Sequence, residues 1–380
     1  MIEPAKRLET VQEYYFSKKL REVRGLFAEG KPIINLGIGS PDLDPPTEVI
    51  EAIQNSLGDA SAHTYQSYQG LPELRTEISN FYRRKFFVDT NPQNEVLPLM
   101  GSKEGIMHIS MAFLNKGDKV LIPNPGYPTY TSVTKLVGAI PLFYNLNDAS
   151  NWHPNFSALE AQDLSDVKIM WVNYPHMPTG TNASLEMFKK LIAFGKKHQI
   201  LIINDNPYSF ILNDTPISIL QVDGAKDIAL ELNSLSKTFN MAGWRVGMVL
   251  GSSRYINEIL KVKSNMDSGM FYGIQKGAIA ALQLPDSWFL EQNKIYKERR
   301  SLVRELAEKL NASYNEYSTG LFVWAKISDG KKAEEITDSV LYDKHIFITP
   351  GSIFGSQGEG YIRFSLCVPS EIIKEAIVRM

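Results

Sequence analysis

Lys237 stands in the stretch SLSKTFNMAGWRVG, residues 234 to 247, among small hydroxyl side chains, with Arg245 eight positions on and glycines at 243 and 247. A solvated lysine has no use for such neighbours. A lysine that forms a Schiff base must shed its proton near neutral pH, and burial beside a cationic group favours that. Hydroxyls and a guanidinium are also the groups that hold a phosphate, and Ser234, Ser236 and Arg245 supply them within one short stretch.

Three further places carry polar residues just after apolar runs. In LMGSKEGIMHISMAFL, residues 99 to 114, the small pair Gly101 and Ser102 opens a long apolar helix, whose free amides and positive end suit a phosphate; a plain helix cap is the alternative. In NPGYPTY, residues 124 to 130, Tyr127 either packs its loop or stacks on a flat ring. Asp205, in LIINDNPYSF with Tyr208 three places on, follows four strand residues, so its carboxylate calls for a cationic partner: an arginine, or a protonated ring nitrogen. A stacking aromatic, a carboxylate for a ring nitrogen, an amine-bearing lysine and a phosphate cup are together what pyridoxal phosphate requires. No single one of them compels it.

These residues need a scaffold that brings them together. KVLIPNP (119 to 125), VKIMWVNYP (167 to 175) and ILIINDNPY (200 to 208) read as buried strands of a largely parallel sheet. Between the last two, Leu185, Phe188, Leu191, Ile192 and Gly195 keep helical spacing behind Ser184 as a cap. The class is α/β, and in open parallel sheets ligands sit beyond the carboxyl ends of the strands, where the polar residues above fall. Past residue 285 a charged helix and short strands near GLFVWAKI, IFITPG and GYIRFSLCV predict a smaller α+β domain completed by the N-terminal arm. The expected division is a large domain over 46–284 and a small one from 1–45 plus 285–380.

Composition narrows the function classes. With 380 residues, 43% apolar, 22% charged and a net charge of −2, the chain offers no basic surface for nucleic acid or an anionic membrane. Its one cysteine, Cys367, rules out an internal disulfide and any CxxC metal motif, and the opening residues hold no apolar run; a cytoplasmic protein is expected. The six histidines, at 63, 108, 153, 176, 198 and 345, fall at no spacing that sets two on one helical turn, so no metal is expected.

From INLGIGSPD (34 to 42) through YQSYQGLPELR (65 to 75) and the lysine stretch to YIRFSLC (361 to 367), the chain resembles the class I/II aminotransferases, fold-type I pyridoxal-phosphate enzymes related to aspartate aminotransferase. GSKEGI, PNPGYP and NMDSGMFYGIQ look most like the branch that includes alanine and LL-diaminopimelate aminotransferases. The resemblance implies that Lys237 carries the Schiff base, Asp205 pairs with the pyridine nitrogen, Tyr208 bonds the ring's 3′ oxygen and Tyr127 stacks on the ring. It implies a phosphate cup from Ser234, Ser236, Arg245 and the Gly101-Ser102-Lys103 turn. Tyr65 matches a tyrosine that reaches the phosphate across a homodimer interface, Arg363 the arginine that grips the substrate carboxylate, with Ile38 and Gly39 lining that end. The implied activity is ping-pong transfer of an amino group between an L-amino acid and a 2-oxo acid. A C–S β-lyase or a cyclopropane-forming enzyme of the same fold would share every anchor, and a non-catalytic cofactor-binding regulator is the alternative from another class.

The chain departs from the family at one point. HMPTG replaces the usual NPTG, so Met177 stands where an asparagine amide normally touches both the 3′ oxygen and the substrate carboxylate. Asn173 and His176 are the candidates to supply the missing donor.

Overall fold

A computed structural model describes every residue except Met1, Gln12, Tyr14, Asp329 and Lys331. Its first strand, β1 (Ile34–Asn35), belongs to the N-terminal arm. A seven-stranded sheet follows: β2 (Val96–Leu99), β3 (Lys119–Asn124), β4 (Ile140–Asn145), β5 (Val167–Val172), β6 (Leu201–Asp205), β7 (Ala229–Ser234) and β8 (Gly247–Gly251). The spatial order is β2-β8-β7-β6-β5-β3-β4. Every pair is parallel except those of β8, which runs antiparallel to both β2 and β7. The carboxyl ends of β2, β3, β5, β6 and β7 therefore share one edge with the amino end of β8.

The strands read from apolar runs are present and buried. β6 is buried at all five positions and β5 at all but one, as expected of strands covered on both faces. The intervening helix runs Leu185–His198; the Ser184 hydroxyl accepts the Met187 N–H at 3.1 Å, and Gln199 closes it in the left-handed conformation. Its inner face buries Met187, Phe188, Leu191 and Ile192, each worth roughly 1.5–3 kcal/mol relative to exposure. Leu185, expected on that face, sits at the first helical position and stays 41% exposed.

After the long helix Asp286–Lys309 come β9 (Ala312–Tyr314), β10 (Phe322–Ile327), β11 (Ile346–Phe347), β12 (Thr349–Pro350) and β13 (Tyr361–Ser365). β12, β13, β10 and β9 form an antiparallel sheet in that order. β11 instead pairs in parallel with β1, Ile34 opposite Ile346, which ties the N-terminal arm to the C-terminal part of the chain. A second tie is the buried Arg299 guanidinium, which donates to both carboxylate oxygens of Asp42 at 2.6 and 2.9 Å. The helix Tyr15–Ala28 precedes β1 and buries Phe16 and Val23. Among the described residues no helix is long and apolar enough to cross a membrane.

Candidate active site

The carboxyl edge of the large sheet opens into a cavity of about 630 Å³, closed from the other side by the N-terminal arm and the small sheet. β6 brings Asp205, and the turn after it brings Tyr208. β7 ends at Ser234, followed by Ser236 and Lys237 on one short turn. Ser102 and Lys103 enter from the start of the helix after β2, Tyr127 from the turn after β3, Asn173 and Met177 from the segment after β5. Ile38, Gly39 and Arg363 complete the far wall. Gly101 and Tyr65 do not line it; Tyr65 is 91% exposed on its own chain.

Asp205 is buried, and no arginine meets it. Its Oδ2 accepts the hydroxyl of Tyr130 at 2.8 Å, while Oδ1 has no hydrogen-bond partner among the described residues. Burial raises its pKa to about 7, with the Tyr130 hydrogen bond pulling the other way. A buried carboxylate oxygen left without a partner is costly, so this atom suits a cationic N–H donor. Tyr130 itself stacks on Trp171, ring centroids 4.9 Å apart, and is met edge-on by Tyr127. Tyr130 lies three residues past Tyr127, in the first turn of the helix Pro128–Leu136, where the sequence alone does not mark it as a site residue.

Lys237 is partly buried on the cavity wall. Burial lowers its pKa, and the guanidinium groups of Arg363 and Arg245 lower it further against an opposing effect of Cys367. Its Nζ donates to the Gly39 carbonyl at 2.5 Å. The lysine thus reaches across from the large sheet to the N-terminal arm.

At one end of the cavity the polar groups are hydroxyls, amides and cations. The Ser234 hydroxyl accepts the Ser236 N–H at 3.1 Å and donates to the Ser236 hydroxyl at 2.8 Å. Arg245 donates to the Ser236 hydroxyl at 3.4 Å and to the Ala242 carbonyl at 3.0 Å. Arg245 holds a left-handed backbone, φ +58°, which a non-glycine residue adopts only where the surroundings require it. A β-carbon on Gly101, itself at φ +86°, would lie 2.0 Å from Nη2 of Arg245, so the glycine is needed both for its turn and for the guanidinium above it. Lys103 has its pKa lowered by burial and by nearby Arg245, which places two cations beside the amino end of the helix Ser102–Phe113.

At the other end Arg363 donates to the Gly37 carbonyl at 2.8 Å and to the sulfur of Met177 at 3.4 Å. Its guanidinium carbon lies 3.9 Å from the ring centre of Phe322, 4.6 Å from Phe354 and 5.4 Å from Phe16. Of the two candidates for the missing amide, Asn173 lines the cavity and His176 does not. The Asn173 amide donates to the Asp205 carbonyl at 2.5 Å and accepts the Met177 N–H at 2.8 Å, which fixes the two strand ends to each other. His176 does not reach the cavity; its Nδ1 meets the Thr179 hydroxyl at 2.8 Å, and burial pushes its pKa down to about 3.

Sequence reasoning also missed Phe16, Leu20, Phe322 and Phe354 in this wall. Phe16, Leu20 and Val23 keep an i, i+4, i+7 spacing that would have marked the N-terminal helix. Away from the cavity, Glu104, His108 and Asp267 bring possible ligand atoms within 4.8 Å of one another, a grouping that histidine spacing does not reveal. The Lys263 ammonium holds both Asp267 oxygens there, at 2.9 and 2.8 Å, and supplies the counter-charge.

A flat pyridine bearing a phosphate and an aldehyde fits these groups: cup at one end, Lys237 between, the open Asp205 Oδ1 at the ring. Comparison with known proteins agrees with that fit. The model of the family Aminotransferase class I and II matches residues 31–380. The LL-diaminopimelate aminotransferase of Aquifex aeolicus is 38% identical over 382 residues, covering 100% of this chain and 99% of that protein. The enzyme of that name from Maridesulfovibrio salexigens is 40% identical over 379 residues, 99% of this chain and 98% of the other. A substrate-bound structure of BacF from Bacillus subtilis superposes with a TM-score of 0.96 at 33% identity, covering 100% of this chain and 97% of that one.

Proposed function

The chain belongs to the class I and II aminotransferases, enzymes that use pyridoxal phosphate to move an amino group between an amino acid and a 2-oxo acid, and from that premise we propose how its residues divide the work. Bound pyridoxal phosphate supplies an aldehyde for the amine and a ring that takes up the electron pair left at Cα. Lys237 is its covalent anchor between turnovers. With the cofactor bound, Nζ would be the base that takes the proton from Cα; burial and the nearby guanidinium groups lower its pKa, which favours the neutral amine.

Asp205 holds a proton on the ring nitrogen through Oδ1, oriented by Tyr130 on Oδ2. Tyr208 and Tyr127, both on the cavity wall, would donate to the ring's 3′ oxygen and cover a ring face. Ser102, Lys103, Ser234, Ser236 and Arg245, over the Gly101 turn, hold the phosphate. Arg363 grips the substrate α-carboxylate, with Ile38, Gly39, Asn173 and Met177 around it. The observation that carries this reading is the open Asp205 Oδ1 in the same cavity as Lys237, with Lys103 and Arg245 at one end and Arg363 at the other.

Further parts of the proposal concern organisation. The working unit is a homodimer in which Tyr65, unused and exposed on its own chain, completes the phosphate cup of the opposite chain. The large domain spans 46–284 and the small one 1–45 with 285–380, which the β1–β11 pairing and the Asp42–Arg299 pair support. The protein is cytoplasmic, in keeping with a single, buried thiol.

The test uses the purified protein with pyridoxal phosphate, an L-amino acid and a 2-oxo acid. Parallel double-reciprocal plots and one equivalent of 2-oxo acid per site when no acceptor is present are expected. Release of ammonia or of a thiol as the main product would overturn the reading. For the dimer, mixed dimers of a wild-type chain with a Tyr65→Phe/Lys237→Ala chain should hold the cofactor at the lysine-bearing site about 10-fold more weakly than dimers of wild type with Lys237→Ala; unchanged affinity would remove Tyr65 from the site.

A further inference from the structure

The charged groups that line the cavity already have tasks at the ring, the phosphate or the α-carboxylate: Asp205, Lys237, Lys103 with Arg245, and Arg363. What remains beyond Arg363 is mostly apolar, with the uncharged hydroxyls of Ser17 and Ser40 among it. Phe16 and Leu20 come from one face of the helix Tyr15–Ala28, Ile38 from the arm, and Phe322 and Phe354 from the C-terminal part. Phe16, Phe322 and Phe354 are buried, and all three rings surround the Arg363 guanidinium. A substrate whose carboxylate lies on Arg363 must run its side chain along these surfaces.

The polar group that this helix places on the wall, Ser17, is already engaged. The Ser17 hydroxyl, on the cavity wall, donates to Glu13 at 2.6 Å, and Glu13 accepts both Nη atoms of Arg21 at 2.6 and 2.7 Å. Among the described residues that line this end, none offers a second cation for a distal carboxylate or a carboxylate for a distal ammonium. A distal charge placed there would lose its water without gaining a partner, whereas an apolar group gains by leaving water.

We infer that the amino donor carries a large apolar side chain, aromatic or branched aliphatic, which lies against Phe16, Leu20 and Ile38, and that Phe16 and Leu20 set this preference. The inference rests on Arg363 holding the α-carboxylate. It separates this chain from relatives whose names specify diaminopimelate, a donor with a second charged amino-acid group at its far end.

The test has a binding arm and a turnover arm, both on the pyridoxal-phosphate-loaded enzyme. Titration calorimetry with 3-phenylpropanoate and glutarate, which lack the amino group and do not react, should give at least about 10-fold tighter binding of the phenyl acid. Phe16→Ala and Leu20→Ala should each weaken the phenyl acid about 10-fold while leaving glutarate within about 2-fold. In single turnovers L-phenylalanine or L-leucine should outpace L-glutamate and LL-diaminopimelate. Tighter binding of glutarate, or faster turnover of either charged donor, overturns the inference while leaving the aminotransferase reading intact. If neither acid binds and no donor reacts, the site assignment falls and the inference with it. The wild-type ranking decides the matter alone if either variant fails to fold.

Discussion

At the phosphate end of the cavity the binding groups come from two short stretches, 101–103 and 234–247, while at the carboxylate end Phe16, Gly37, Met177, Phe322, Phe354 and Arg363 arrive from widely separated parts of the chain. The first end is made of turns: a glycine at φ +86°, an arginine at φ +58°, serine hydroxyls bonded to each other and the start of a helix. Local geometry shapes each stretch, and the β2–β8–β7 pairing sets the two side by side. The second end is a guanidinium packed among three phenylalanine rings and donating to the Gly37 carbonyl and the Met177 sulfur. Only the packing of the N-terminal arm and the C-terminal strands against the large sheet creates it. The two ends should therefore fail separately, one through cofactor affinity and the other through substrate affinity.

Lys237 joins the two ends, so its loss should have the largest effect. Lys237→Ala is expected to remove turnover and the visible band of the lysine-bound cofactor, while leaving a folded protein by circular dichroism, because little apolar area is lost. Turnover at a substantial fraction of wild type would remove the lysine from the chemistry.

Arg363→Lys should come next, lowering kcat/KM about 100-fold, roughly 2.7 kcal/mol, because an ammonium cannot reproduce the paired bonds of a guanidinium fork. Cofactor affinity, read by equilibrium dialysis, should change less than about 2-fold. The reverse pattern would move Arg363 to the phosphate end.

Ser234→Ala makes the complementary cut. It removes one hydroxyl from the Ser234–Ser236–Arg245 chain and should weaken cofactor binding about 10-fold, in line with about 1.5 kcal/mol for a hydrogen bond to a charged group. KM for the amino donor at saturating cofactor should stay within about 2-fold. A raised KM with unchanged cofactor affinity would break the proposed division.

Met177→Asn is the finest probe, because this position faces Arg363 and also stands where relatives place a donor to the ring's 3′ oxygen. Restoring an amide should lower the pKa of the lysine-bound chromophore by about one unit, since such a donor stabilises the deprotonated form more than the protonated one. Spectrophotometric titration of the two proteins measures it. No shift, with an altered KM, would assign position 177 wholly to the carboxylate end.

The contrast also governs what could be read in advance. Ser234, Ser236, Lys237 and Arg245 stand within one turn-forming stretch, and Asp205 ends an apolar run that could only be a buried strand. Tyr130 was hidden because a tyrosine on an apolar helix face looks like core packing until the neighbouring strand brings a carboxylate to its hydroxyl at 2.8 Å. Asn173 and His176 were fair replacements for an amide on spacing alone. Only the folded chain tells them apart: Asn173 lines the cavity with one amide hydrogen on the Asp205 carbonyl, while His176 is buried behind the loop.

Apolar periodicity and turn residues by themselves determined the α/β class, the strands β3, β5 and β6 and the residue types that pyridoxal phosphate needs, because each depends on interactions between neighbours a few positions apart. Tertiary structure alone decided which oxygen of Asp205 stays open, that Met177 lends its sulfur to Arg363, and that the substrate end is walled by rings from residues 16, 322 and 354. Those contacts join positions up to more than three hundred residues apart, and no local pattern fixes which distant side chains a packed core will press together.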